Sequence, residues 1–451
     1  MGENKVTKKS TDFLFVGLAL FAMFFGAGNL IFPPELGVKT GFDWFSSFMG
    51  FFIADAGLAV LGVFCIMRFH GKYRGMTAPI GKTLGSILIL AIVICIGPGL
   101  AIPRTATVTF SLGVVPVFGI DPANTMALAI FSVIYFIIVF FLAVRPSAVV
   151  DIVGKVLTPA LVVILLVLIA VGIMNPGGEV QAGLIDGAIK EGIASGYQTM
   201  DAMASVLFAG IIIASIYEKG YAKGKESNTQ TGKAAIVALI LLFIVYGGLA
   251  YLGATTGTIW KADVASQNID QAGLVINIVN HLLGRVGVIL IGICVLLACL
   301  TTAIGLTSAA GDIFSKFTHN KISYEKFVAV ICIFSAFVSN LGLAQIISIA
   351  APILTLVYPA LIYLMIAAFF YNMFPRVWAY RLGALAAFVI SALTVLNGAP
   401  FNVEALGWVH SLPLASFGLN WVVPALVGTI IGAFIPGTLS DFNSSPEALE
   451  D

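Results

Sequence analysis

Two stretches of this chain place ligand-bearing chemistry inside apolar surroundings. The first is FAMFFGAGNLIFPPELG, Phe21 to Gly37, where Gly26, Gly28, Asn29, Pro33 and Pro34 fall within nine positions. The second is GYQTMDAMASVLFAGIIIASI, Gly196 to Ile216, a run of small residues carrying Asp201, Ser205 and Gly210. A helix interrupted inside a bilayer exposes N–H groups at the start of its second half, which suit an anion. Unwound carbonyls beside them suit a cation. Gly26 and Gly28 reach backbone angles closed to other residues and remove side chains, so a ligand can touch the main chain. Glycines at this spacing also serve as a packing face between membrane helices. The second interrupted stretch favours binding, because a corresponding pair of such helices marks a transporter's central site.

Charged side chains buried in a bilayer cost at least about 2.5–3.5 kcal/mol and are functional candidates by default. Arg104, within AIPRTA, Asp201 and Asp55 qualify. Arg104 and Asp201 fall at matching depth in outer half-spans, so the two are expected to pair, as an outer gate or as a static contact. In an alternative reading Arg104 holds a substrate carboxylate. Asp55 has no evident partner. Glu35 reads as an outer-rim residue, of interest in a proton relay. Thr301 and Thr302, in ACLTT, offer two hydroxyls that ordinarily bond back to their own helix. The five cysteines, Cys65, Cys95, Cys294, Cys299 and Cys332, lack metal-type spacing and read as small buried hydrophobes.

The elements that carry these residues follow from composition. Of 451 residues, 59% are hydrophobic and 10% charged, where a soluble domain carries about a quarter charged. Mean hydropathy is +1.05. The chain therefore reads as a polytopic, all-α membrane protein. A net charge of +1 gives no reason to expect a nucleic-acid partner. A bilayer core of about 30 Å asks for about 20 apolar residues per helix. Twelve such segments are expected, at 12–36, 43–69, 84–114, 123–144, 148–174, 197–218, 233–256, 279–311, 323–340, 344–370, 378–398 and 418–438. The third and eighth are long enough to imply tilt or a broken end. Residues 1–11 form an N-terminal segment without a signal-peptide pattern, 175–196 an outer loop with room for a short surface helix, and 439–451 a disordered tail. With the N-terminus cytoplasmic, 18 of the 23 Lys and Arg fall inside; Lys39, Lys190, Lys261 and Arg285 fall outside and Arg104 within a span. Both termini are accordingly expected in the cytoplasm of a multi-pass cell-membrane protein.

The motifs FFGAGNLIFPPELG, AIPRTATVTF, GYQTMDAMASVLFAG and LLACLTTAIGLTSAAGDIF resemble, across essentially the whole chain, the BrnQ-type branched-chain amino acid carriers of the LIVCS family. That family resembles the amino acid–polyamine–organocation superfamily with its leucine-transporter fold. The resemblance implies a 5+5 inverted repeat, 12–174 and 197–370, with spans 1 and 6 broken, and two peripheral helices within 371–438. Spans 1, 2, 6 and 7 would rock against 3, 4, 8 and 9. It implies Na+-coupled uptake of leucine, isoleucine and valine, or H+-coupled uptake as in some members. By the same resemblance Gly26, Ala27, Gly28 and Asn29 would receive the substrate carboxylate. Ala204 and Ser205 would lie at the second break, and Phe208 would wall the apolar pocket. The ammonium would meet carbonyls of the two unwound segments. Na+ would be held by carbonyls of Ala22, Phe25 and Ala298 with the hydroxyls of Thr301 and Thr302, an oxygen set suited to a hard cation. A full ligand set for a second Na+, which some relatives hold, is not found.

Other function classes fit less well. A membrane enzyme would need a phosphate loop, metal cluster or nucleophile–base set. A channel would need a repeated pore motif or a ring of like charge. No obligatory protein partner is expected beyond the lipid bilayer.

Overall fold

The computed structural model describes residues 11–144, 158–371, 373, 375–399 and 401–437. These are almost wholly helical, with an isolated antiparallel bridge between Gly41 and Ala182. Among the described residues, eight helices are long and apolar enough to cross a membrane, or nine when a bent pair counts as one span. Helix covers part of every one of the twelve expected segments. Residues 1–10, the tail at 439–451 and the start of the fifth segment at 148–157 lie outside the described residues.

The first segment is two helices, α1 (Asp12–Phe24) and α2 (Ala27–Thr40), bent by 71°. Gly26 takes extended angles, φ −110° and ψ −159°, which no helix can pass through. Further along α2, Pro33 and Pro34 lack the N–H groups that would close the carbonyls of Asn29 and Leu30. Next come α3 (Trp44–Arg68), with a π-helical turn at Ile53–Gly57 that carries Asp55, and α4 (Lys82–Phe118). The long α4 is kinked by non-helical Gly97 beside Pro98, so the third segment is indeed interrupted. Then follow α5 (Thr125–Ala143) and α6 (Thr158–Met174). On α5, Ile130, Ile134, Ile137 and Phe141 recur at helical spacing and are all exposed. Such a stripe is a liability in water and the ordinary surface of a helix in lipid.

The sixth segment departs from expectation. Helix α7 (Ala188–Thr199) ends at Met200, whose φ of 71° and ψ of 12° are left-handed, and α8 (Asp201–Glu218) starts directly after it. The break therefore lies at Met200, not at Ala204–Phe208, which are regular helix. Helix α7 keeps Ile189, Lys190 and Ala194 exposed and packs its other face on α3. A Cβ on Gly192 would stand 2.1 Å from the Ser47 carbonyl oxygen, and one on Gly196 2.9 Å from that of Phe51. The two glycines let α7 lie directly against α3.

The remaining helices are α9 (Lys225–Ala265), α10 (Gln271–Phe317), α11 (Tyr324–Ser339), α12 (Leu343–Phe370), α13 (Val377–Asn397) and α14 (Val422–Ala433). The long α10 is broken at Gly284, φ 61°. Helices α2 and α9 touch backbone to backbone: a Cβ on Gly37 would lie 2.0 Å from the Ala250 oxygen, and one on Gly253 2.0 Å from the Pro34 oxygen.

Candidate functional site

The two breaks face one cavity of about 20 Å³, roughly what one water needs. Gly26, Ala27 and Asn29 line it from the first break, Met200, Asp201, Ala204 and Phe208 from the second, Arg104 and Thr105 from α4, and Thr302 from α10. The fold thus gathers most of the residues singled out in the sequence. Phe208 is fully buried, its ring centroid 5.9 Å from that of Phe24. Gly28 and Ser205 lie behind the lining. A Cβ on Gly28 would stand 3.1 Å from Arg104 Nη2. Ser205 Oγ donates to the Ala202 carbonyl at 2.7 Å and faces Gly62 of α3, where a Cβ would lie 1.9 Å away.

Asn29 is the centre of a buried polar knot. Its Oδ1 accepts from the Gly26 N–H at 3.2 Å. Its Nδ2 lies 2.8 Å from Asp201 Oδ2, 3.1 Å from Asp55 Oδ2, and within hydrogen-bond reach of the Tyr246 hydroxyl. Thr199 Oγ1 donates to Asp55 Oδ1 at 2.7 Å. Asp55 is 0% and Asp201 6% exposed, so each carboxyl needs these donors. The knot draws one residue or more from α2, α3, α7, α8 and α9. It supplies the partners that the sequence left unassigned for Asp55.

The expected Arg104–Asp201 ion pair is not formed. Arg104 Nη1 donates to the Gln198 carbonyl, and Nη2 to the Thr199 carbonyl at 3.0 Å. The reason is the end of α7, whose last carbonyls lack helical donors and carry the negative end of the helix dipole. Asp201 is meanwhile held by Asn29. The two carbonyls just before the second break are thereby already hydrogen-bonded.

The cation set falls across two adjoining spaces. Thr302 lines the polar cavity. Phe25 and Ala298 line a neighbouring apolar one of about 10 Å³, with Gly26 and Ala27 shared between them. Gly26 N–H, which an unbroken helix would give to the Ala22 carbonyl, is turned onto Asn29. Thr301 Oγ1 bonds back to the Ala298 carbonyl at 2.9 Å. Thr302 Oγ1 is buried and has no hydrogen-bond partner. It faces Gly26, where a Cβ would stand 3.4 Å away. An unclosed carbonyl and an orphaned hydroxyl suit a hard cation. All five cysteines are buried and free.

Sequence reasoning missed Met200, Thr199, Thr105 and Tyr246. Methionine carries no turn signal, and Tyr246 sits in an apolar helix without a neighbouring polar group.

A family described as branched-chain amino acid transport protein matches residues 9–439 of the chain. The branched-chain amino acid permease BraB of Bacillus subtilis is 35% identical over 430 residues, 93% of this chain and 94% of that one. The branched-chain amino acid transport system 2 carrier protein of Pseudomonas aeruginosa is 35% identical over 435 residues, 94% of this chain and 95% of that one. Among solved structures, Mhp1, a nucleobase-cation-symport-1 family transporter, matches with TM-score 0.58 at 13% identity, covering 93% of this chain and 91% of that one. MhsT in complex with L-phenylalanine matches with TM-score 0.57 at 16% identity, covering 95% and 99%. At such identities the structural likeness shows the fold, which is the leucine-transporter fold.

Proposed function

The chain belongs to the branched-chain amino acid transport protein family, and on that premise we propose that it takes up leucine, isoleucine and valine by Na+ symport with alternating access. It is a multi-pass membrane protein whose relatives are named permeases and carriers, so its activity is transport and not a chemical conversion. The observation that carries the proposal is the meeting of two broken helices at one enclosed cavity. There the start of α2 offers main-chain N–H groups to a carboxylate. Ala204 and Phe208 offer an apolar wall, where a buried CH₂ is worth about 0.8 kcal/mol. The narrowness of the cavity means that these walls part to admit a branched side chain.

Na+ would be held by the carbonyls of Ala22, Phe25 and Ala298 and the hydroxyls of Thr301 and Thr302. It would supply fixed positive charge that orders the break in the first helix. The chain's own part is to hold those oxygens on either side of the break, so that the helix-1 oxygens and those of α10 come into register in one arrangement of the two bodies. Coupling of this kind is reciprocal: substrate raises Na+ affinity by the factor that Na+ raises substrate affinity. We read the protein as residing in the cell membrane with both termini cytoplasmic, from the Lys and Arg asymmetry.

A second reading, H+ symport, is favoured by one observation: the Asp55 and Asp201 carboxyls are both buried and lean on one amide. A proton shared between them would leave one buried negative charge in place of two. Purified protein in proteoliposomes decides between the two. Labelled leucine should accumulate above equilibrium under an inward Na+ gradient and not under a proton gradient alone. Accumulation with protons alone would replace the Na+ reading, and equilibration without accumulation under either gradient would sink symport.

A further inference from the structure

Helix α4 sends one guanidinium to the point where both helix breaks meet. Arg104 is 3% exposed and lines the polar cavity. Its two terminal nitrogens are committed to the carbonyls of Gln198 and Thr199 at the end of α7. Its Nε–H is buried without a partner. Arg104 takes part in none of the ion pairs formed among the described residues. Both nearby carboxyls are turned onto Asn29 instead.

A guanidinium has five N–H donors arranged as an end fork and a side fork. The two carbonyls take the end fork. The side fork, Nε–H with the second hydrogen of Nη2, is left. Two parallel donors on a charged plane match a carboxylate bidentately. The first turn of α2 gives this fork room, because Arg104 Nη2 would stand 3.1 Å from a Cβ on Gly28. A side chain there would push the guanidinium off. Gly26, Ala27 and Asn29 of the first break line the same cavity as Arg104, and a buried cation that no carboxylate pairs directly is costly.

We propose that Arg104 binds the α-carboxylate of the transported amino acid through its side fork, sharing that group with the start of α2. The assignment rests on the reading of the chain as an amino acid transporter and adds to it the residue that selects for a free carboxylate. The end fork keeps the guanidinium in place on α7, so Arg104 is aimed before the substrate arrives.

The test is competition with labelled leucine for the purified protein in Na+-containing buffer. The competitors are leucine, leucinamide, which lacks the carboxylate, and 4-methylpentanoate, which lacks the ammonium. Wild-type protein should prefer leucine to leucinamide by at least about 30-fold, the scale of truncating a buried charged contact. In Arg104→Gln, whose amide can still donate to the α7 carbonyls, leucine affinity should fall by about that factor. Leucinamide affinity should change by less than about threefold. The leucine to 4-methylpentanoate ratio should hold, since both carry the carboxylate. A parallel loss of leucine and leucinamide, with their ratio unchanged, would overturn the assignment and leave Arg104 a structural link between α4 and α7. If Arg104→Gln yields no folded protein, Arg104→Lys, which keeps charge without the fork, and Gly28→Ala, which displaces it, are read by the same ratio. A fall supports the proposal and an unchanged ratio refutes it. Failure of the underlying transporter reading looks different: wild-type protein would bind no leucine at all.

Discussion

Asn29 Nδ2 lies 2.8 Å from Asp201 Oδ2, so the second half of one broken helix is tied side chain to side chain to the second half of the other. The same amide serves Asp55, and its oxygen holds the Gly26 N–H. One side chain thus fixes both the shape of the first break and its position against the second.

Asn29→Ala removes the shared donor of two buried carboxyls. The expected loss is about 3 kcal/mol or more, since charged groups left unsatisfied cost the most. Asn29→Asp, which adds a third carboxyl at the same point, should be worse. Thermal unfolding of the purified protein in detergent checks both, and unaltered melting in either variant would mean that the knot contributes little.

Thr301 and Thr302 should separate. Thr302→Val deletes a hydroxyl that no protein group satisfies, so folding stability should hold or rise slightly. Its leucine uptake should need at least about tenfold more Na+, the effect of losing about 1.4 kcal/mol of ion binding. Thr301→Val loses a hydroxyl that is bonded back to Ala298 and should shift the Na+ requirement less. Titrating uptake against Na+ gives the answer; equal or inverted sensitivity would refute the assignment of Thr302.

Glycines of α2, α9 and their neighbours differ in what surrounds them. Gly37→Ala drives a methyl to 2.0 Å from the Ala250 backbone oxygen, and backbone cannot step aside. It should cost several kcal/mol or prevent folding, as overpacking of about 1–3 kcal/mol is exceeded when the obstacle is main chain. Gly257→Ala meets nothing within 4 Å and should be neutral or gain up to about 1 kcal/mol of helix propensity. Comparing yield and melting temperature of the two variants tests the packing.

Gly62→Ala is a test of compensation. The new methyl would sit 1.9 Å from Ser205 Oγ. Melting temperature should drop in the single variant and recover in part with Ser205→Gly, which clears that atom. Additive losses in the double variant would show that α3 and α8 do not meet there as described.

The first break was legible because its cause is local. Gly26, Gly28, Asn29 and a proline pair write an interruption into nine consecutive positions. The break at Met200 was not, because its cause is remote. A left-handed methionine costs of order 1–3 kcal/mol. The donors that make up for it come from Arg104, 94 and 95 positions away from the carbonyls it holds, and from the partners of Thr199 and Asp201. The small residues there mark close packing of Ser205 on α3 and a cavity wall at Ala204 rather than an interruption. The charges were recognised as meaningful, yet their pairing was misread. Depth in the bilayer brought Arg104 and Asp201 to one level, whereas the choice of partner was made by α7's open carbonyls and by an asparagine on α2. The twelve apolar segments needed only length and hydropathy, and helix appears in each.

The knot around Asn29 has a mechanical meaning. Its hydrogen bonds reach into α2, α3, the α7–α8 pair and α9, and none of its members belongs to α4 or α10. To shear any one of those helices past another would expose two carboxyls in a medium that cannot solvate them. The cheap displacement is therefore a swing of the whole set as one lever. On the alternating-access reading, that set would swing against α4 and α10, which meet it through the guanidinium of Arg104 on α7 and the hydroxyl of Thr302 opposite Gly26.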